Sequence, residues 1–252
     1  MIPFLDLKPQ YNELKGPINE RIQTILNHGQ FILGPEVAEC EKALAAFTGS
    51  PYCLTMSSGT DALMAVLMAL DVGPGDEVIT TAFSFFATAE VVSLVGASPV
   101  FVDIDPKTYN MNPALIEKAI TPKTKVIMPV SLYGQVADLD EINAIAEKHG
   151  LTVIEDAAQS FGGMYKNKRS CNVSKVSATS FFPAKPLGCY GDGGAVFTSD
   201  KALFDRMARI RVHGQESRYH HVEMGLNARL DTIQCAVITE KLKRFPWELK
   251  RR

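Results

Sequence analysis

Lys185 is the only charged residue between Lys175 and Asp192, set in Ser180-Phe181-Phe182-Pro183-Ala184-Lys185-Pro186-Leu187-Gly188. An ammonium flanked by Phe, Pro and Leu loses hydration, which disfavours its charged form and lowers its pKa. A neutral amine is what Schiff-base chemistry with a carbonyl partner requires. A lysine that snorkels out of an apolar loop would show the same local pattern, so both readings stand at this point. Asp156 closes the apolar run Leu151-Thr152-Val153-Ile154-Glu155 and precedes Ala157-Ala158. A carboxylate there could hold a cation such as a protonated ring nitrogen, bind a metal, or cap a following helix; taken alone, capping is the commonest use. Gln159 can donate or accept beside the same ligand. Ser58-Gly59-Thr60 would let a phosphate approach backbone N–H groups at a helix N-terminus, although a plain Ser or Thr cap fits the same residues. There is no Gly-x-x-x-x-Gly-Lys-[Ser/Thr], and Gly191-Asp192-Gly193-Gly194 precedes a strand rather than following one. Neither a triphosphate loop nor a dinucleotide fingerprint is therefore supported. His213, His220 and His221 lack the spacing of two ligands on one helical turn and have no Cys or carboxylate placed to complete a metal set. Phe83, Phe85 and Phe86 read as core rings unless one of them stacks on a planar cofactor.

These residues need strand ends and helix starts to position them, and the chain supplies both. Strands are expected at Tyr52 to Met56, Glu77 to Thr80, Pro99 to Ile104, Lys125 to Val130, Leu151 to Ile154, Val176 to Phe181 and Gly194 to Thr198. Helical periodicity fits 10–28, 35–48, Asp61 to Leu70, 87–95, 113–120, 138–149 and a stretch beginning near Asp200. Strand alternating with helix at this spacing predicts a mostly parallel sheet covered on both faces. In such a sheet ligands bind beyond the carboxyl ends of the strands. That rule selects Ser58-Gly59-Thr60, Asp156 with Gln159, and the Lys185 loop.

The bulk numbers agree. The chain has 252 residues, 46% hydrophobic and 21% charged, with Lys+Arg 26 against Asp+Glu 28 and a net charge of −2. At roughly 150 residues per domain this is one large domain, or one domain and part of another. The balanced charge gives no argument for nucleic acid or an anionic membrane as partner. Cys40, Cys53, Cys171, Cys189 and Cys235 are odd in number and scattered, which fits a reducing cytoplasm better than a disulfide scaffold or zinc ribbon. The start, Met1-Ile2-Pro3-Phe4-Leu5-Asp6, lacks a leader pattern, and no apolar run approaches the roughly 18 residues of a membrane helix.

The ordered set of motifs resembles the DegT/DnrJ/EryC1/StrS family of sugar aminotransferases. It runs through Phe4-Leu5-Asp6-Leu7, Gly34-Pro35-Glu36-Val37, Ser58-Gly59-Thr60-Asp61-Ala62-Leu63, Gly73-Pro74-Gly75-Asp76-Glu77-Val78-Ile79 and Val102-Asp103-Ile104-Asp105. It continues through Val130-Ser131-Leu132-Tyr133-Gly134-Gln135, Glu155-Asp156-Ala157-Ala158-Gln159-Ser160, the Lys185 stretch and Gly191-Asp192-Gly193-Gly194-Ala195. The resemblance implies a three-layer α/β/α fold of the fold-type I kind, with pyridoxal 5'-phosphate as cofactor and no metal. It implies that Lys185 carries the cofactor and shuttles the proton, that Asp156 pairs with the pyridinium nitrogen, and that Gln159 lies beside the ring. Phe85 matches the stacking aromatic, where many relatives have Tyr or Trp. Gly59, Thr60 and Ser180 match the phosphate cup. Asn227 matches the residue that reaches the phosphate from the neighbouring subunit of a homodimer, and the adjacent Arg229 would help hold an anionic substrate group. Related sugar dehydratases of this fold carry histidine where Lys185 stands, so the lysine points to transamination.

The reaction implied is transfer of an amino group from L-glutamate to a nucleotide-linked keto-sugar. The Lys185 stretch and Arg218-Tyr219-His220-His221 look most like enzymes that aminate C3 of a UDP-2-acetamido-3-keto-glucuronate for O-antigen synthesis. By the same comparison, 1–228 is the cofactor-binding large domain, with an N-terminal helical segment over 1–50. Residues 229–252 begin a helix connecting to a C-terminal small domain that is expected to be missing. Two rival readings are a cofactor-binding homologue with a regulatory role and no turnover, and a nicotinamide-dependent oxidoreductase. The second is disfavoured by the absent glycine fingerprint.

Overall fold

The computed structural model describes residues 6–252; residues 1–5, including Phe4-Leu5 of the first motif and the segment read for a leader, lie outside the described residues. The strands are β1 (Tyr52–Met56), β2 (Glu77–Thr80), β3 (Ser98–Phe101), β4 (Thr124–Ile127), β5 (Thr152–Asp156), β6 (Met164–Tyr165), β7 (Lys168–Arg169), β8 (Val176–Ser180), β9 (Gly194–Thr198), β10 (Gln215–Ser217) and β11 (His220–His221). The helices are α1 (Lys8–His28), α2 (Pro35–Thr48), α3 (Gly59–Ala69), α4 (Ala87–Leu94), α5 (Ile116–Ala119), α6 (Leu139–His149), α7 (Lys201–Ile210) and α8 (Thr232–Arg251).

The main sheet has seven strands in the order β1-β9-β8-β5-β4-β2-β3. β8, β5, β4, β2 and β3 run parallel, while β9 is antiparallel to both of its neighbours, β1 and β8. Alternation along each strand sends side chains to opposite faces. Leu54, Met56, Val126, Ile154, Val176 and Val196 pack with α3, α4 and α7 on one side. Cys53, Ala195 and Phe197 pack with α2 and α8 on the other, and Ile79, Ile127 and Val153 meet α6 there. This is the expected three-layer α/β/α arrangement.

Several boundaries differ from the sequence expectation. β3 stops at Phe101 rather than reaching Ile104. β4 stops at Ile127 rather than Val130, because Pro129 has no N–H to continue the ladder; Met128 N still donates to Ile79 O at 2.7 Å. β5 extends two residues further than expected, to Asp156. The helix expected over 113–120 is a 3₁₀ turn, Pro113–Leu115, followed by the single turn of α5. The helix expected over 229–252 is α8, which starts three residues later, at Thr232, and continues through Pro246 to Arg251. The β6–β7 and β10–β11 hairpins were not expected; strands of two or three mostly polar residues leave no period to detect.

Candidate active site

The antiparallel insertion of β9 brings two distant loops together. Gly194, its first residue, pairs with Met56 at the end of β1 and with Ser180 at the end of β8. The chain leaving β1 enters α3 through Ser58, whose hydroxyl accepts the Asp61 N–H at 3.0 Å as a helix cap. A Cβ on Gly194 would lie 2.4 Å from Ser58 O, and one on Gly59 would lie 2.7 Å from the Ser180 Cβ. Glycine at both positions is therefore a steric requirement of the crossing. It leaves Gly59, Thr60 and Ser180 beside the free N–H groups that begin α3.

Asp156 stands at the carboxyl end of β5, fully withdrawn from solvent. Thr88 of α4 donates its hydroxyl to Asp156 Oδ2 at 2.8 Å, and Ala158 N donates to Oδ1 at 3.1 Å. The residues after it form a turn and not an α-helix, which removes the helix-cap reading of this carboxylate. Burial pushes the Asp156 carboxyl above the usual carboxylate range; Thr88, Ala158 and the charge of Lys185 pull it partly back. Among the described residues Asp156 makes no ion pair, so a cation in contact with it would relieve the burial penalty. Lys185 is more than half withdrawn from water, and that desolvation lowers its pKa against the opposing pull of Asp156. The sequence inference of a desolvated lysine is matched. Its segment is a closed turn: Lys185 N donates to Phe182 O and Cys189 N to Phe181 O, each at 2.8 Å.

Gln159 Oε1 accepts the Tyr133 N–H at 3.1 Å, an arrangement that leaves its amide NH₂ to face a ligand. Gly59, Thr60, Phe85, Asp156, Gln159, Ser180 and Lys185 line one cavity of about 1340 Å³. That is larger than the roughly 300–1,000 Å³ typical of a single small-molecule pocket. Phe85 is 70% exposed, so it is a rim residue and not a core ring. Asn227 and Arg229 do not line this cavity; Asn227 is exposed beside Val212, and the Nε of Arg229 is buried without a hydrogen-bond partner.

Thr88 was missed by the sequence reading, since a threonine inside an apolar helix gives no signal of a partner 68 residues away. Glu155 was missed as well. It points to the opposite face from Asp156 and is fully buried, accepting from Ser131 Oγ (2.9 Å), Ser170 Oγ (2.7 Å), Cys171 N (2.9 Å) and Ser177 Oγ (3.2 Å). Burial still raises its pKa against these donors. Ser177 ties β5 to β8 this way, while Ser131, Ser170 and Cys171 tie it to the segments after β4 and β7. His213, His220 and His221 are exposed, the last two on β11 and away from the cavity.

The sequence profile of the DegT/DnrJ/EryC1/StrS aminotransferase family matches residues 12–252. The chain is 61% identical over 249 residues to UDP-2-acetamido-2-deoxy-3-oxo-D-glucuronate aminotransferase from Pseudomonas aeruginosa, covering 99% of this chain and 69% of that protein. It is similar to a crystal structure of DesV from S. venezuelae in complex with a ketimine intermediate, with a TM-score of 0.96 and 42% identity over 98% of this chain and 66% of that one. It is also similar to the structure of NtdA from Bacillus subtilis with bound cofactor PMP, with a TM-score of 0.92 and 36% identity over 98% of this chain and 57% of that one.

Proposed function

The chain belongs to the DegT/DnrJ/EryC1/StrS family of pyridoxal-phosphate-dependent aminotransferases, and from that premise we propose that it moves an amino group from L-glutamate to C3 of a UDP-linked 3-keto-glucuronate in O-antigen synthesis. The observation that carries the reading is the shared cavity. It holds a desolvated lysine, a buried carboxylate that makes no ion pair among the described residues, and the N-terminus of α3 beside Gly59.

When bound, pyridoxal phosphate supplies an aldehyde that takes up the amino group and a conjugated ring that withdraws electrons from the attached carbon. Asp156, its carboxylate oriented by Thr88 and Ala158, would pair with the ring nitrogen and favour its protonated form. Lys185 Nζ would hold the cofactor through its aldehyde and would serve as the proton carrier beside it; its lowered pKa keeps a neutral amine available. The N–H groups opening α3, with Gly59, Thr60 and Ser180, hold the phosphate. Phe85 and Gln159 line the same cavity and would hold the ring. Arg229 lies outside the cavity lining, so a part in holding an anionic substrate group rests on the family resemblance alone.

A homodimer with Asn227 reaching the neighbouring cavity accounts for two observations. Asn227 is exposed outside its own cavity, and Phe85, Tyr133 and Phe182, which line that cavity, are exposed. A cytoplasmic setting suits five free, buried cysteines. The test is 2-oxoglutarate release with L-glutamate against a panel of UDP- and dTDP-keto-sugars, beside visible spectra of wild type and Lys185→Ala. We expect turnover with the UDP-3-keto-glucuronate and a glutamate-responsive cofactor band that Lys185→Ala abolishes. A cofactor band that ignores glutamate would instead mark a binding homologue without turnover.

A further inference from the structure

Lys241 of α8 is only 3% exposed, and its ammonium donates to the Gly188 carbonyl while lying 5.1 Å from the centre of the Tyr190 ring. Gln234, two turns earlier on the same helix, accepts the Tyr190 N–H at 2.8 Å and donates back to Tyr190 O at 3.3 Å. Positions seven apart share a helix face, so α8 presents both side chains to the segment just past Lys185. That segment has no slack: a Cβ on Gly188 would lie 2.5 Å from Pro183 O, and Cys189 N and Sγ both donate to Phe181 O. A shift at Gly188 is therefore transmitted to the backbone at Lys185.

The ammonium is costly where it sits. Among the described residues no carboxylate lies within 4.0 Å of Lys241 Nζ, and burial pushes its pKa down to about 8 against the pull of Glu248 and Cys189. Packing alone would be served by a methionine of similar length. The carbonyl it satisfies belongs to the turn that carries the reactive amine, and α8 is itself held by buried Cys235, Ile238, Leu242 and Phe245. We propose that Lys241 and Gln234 are positioning residues that clamp Gly188–Tyr190 and thereby fix the Lys185 amine over the cavity, an inference that rests on reading Lys185 as the cofactor-binding lysine.

The test uses the full chain reconstituted with pyridoxal phosphate, comparing Lys241→Met, Lys241→Arg, Gln234→Ala and Lys185→Ala. A misplacement of about 1 Å costs on the order of 100-fold, so Lys241→Met is expected to slow the single-turnover reaction with glutamate by about 10- to 100-fold. Its glutamate Kd should stay within about twofold, since substrate contacts are untouched. The pH midpoint of the cofactor's visible band should shift in Lys241→Met and Gln234→Ala, and Lys241→Arg should restore much of the rate. If Lys241→Met does not fold, Gln234→Ala decides by the same readouts. An unchanged rate and band midpoint in the folded clamp variants would overturn the clamp alone. A glutamate-responsive band surviving in Lys185→Ala would overturn the reading beneath it.

Discussion

The hydroxyl of Thr88 and the carboxylate of Asp156 meet at 2.8 Å in the buried wall of the cavity. A hydrogen bond to a charged group contributes about 1.5–3 kcal/mol, enough to hold Asp156 in one rotamer facing the cavity. The same burial that raises the Asp156 carboxyl lowers the Lys185 amine, and each group's charge partly restrains the other's shift. The sign has a consequence for cofactor uptake. A lysine with a lowered pKa presents neutral amine at lower pH than an exposed one, so pyridoxal phosphate uptake by the apoprotein should rise with pH through a midpoint below the ordinary lysine range. Asp156 favours the ammonium, so Asp156→Asn should move that midpoint lower still while slowing transamination by on the order of 100-fold. Stopped-flow absorbance against pH reads both; a midpoint that stays put or rises in Asp156→Asn would contradict the pairing. Lys185 and Asp156 stood out in the sequence because each breaks an apolar run. Thr88, Glu155 and Lys241 did not, since their partners lie in other elements.

Strand ends and helix starts convert those residues into a site. β1 and β8 both finish against Gly194, so the start of α3 and Ser180 face one another across a glycine. The crossing tolerates no added methyl: Gly59→Ala would place a carbon 2.7 Å from the Ser180 Cβ. Overpacking of that kind costs about 1–3 kcal/mol, and here it pries the α3 N-terminus from the phosphate cup. We expect Gly59→Ala to lower the urea midpoint and weaken pyridoxal phosphate binding by about tenfold or more, as about 1.4 kcal/mol is tenfold in affinity. Fluorescence titration checks this, and an unaltered Kd would remove α3 from the phosphate role. The helix and strand types were legible from period, and β1, β2, β9 and α2 fall within the limits read from the sequence. Ends were less so, since β4 stops before Pro129 while α8 continues through Pro246.

At the scale of the whole molecule, Asn227 and the exposed rings around the cavity mouth bear on subunit number. If Asn227 serves the neighbouring subunit's site, two defective chains should complement. In a mixed dimer of Lys185→Ala with Asn227→Ala, one site carries both defects and the other carries neither. Random mixing of equal amounts in a twofold-symmetric dimer should then restore about a quarter of wild-type activity. Activity that stays at the mean of the two parents would place Asn227 in its own subunit's site. The sequence by itself determined the layer order and marked Lys185, Asp156 and Gln159 as candidates near strand ends. Periodicity sets the element, and the ordered motifs of the family resemblance single out the candidates among the polar residues at strand ends. Only the tertiary structure decided that β9 runs against its neighbours, that Thr88 reaches Asp156, and that α8 grips the turn behind Lys185. Each of these joins segments far apart in the chain, and a contact across that distance depends on how whole elements pack and leaves no period in the residues that make it.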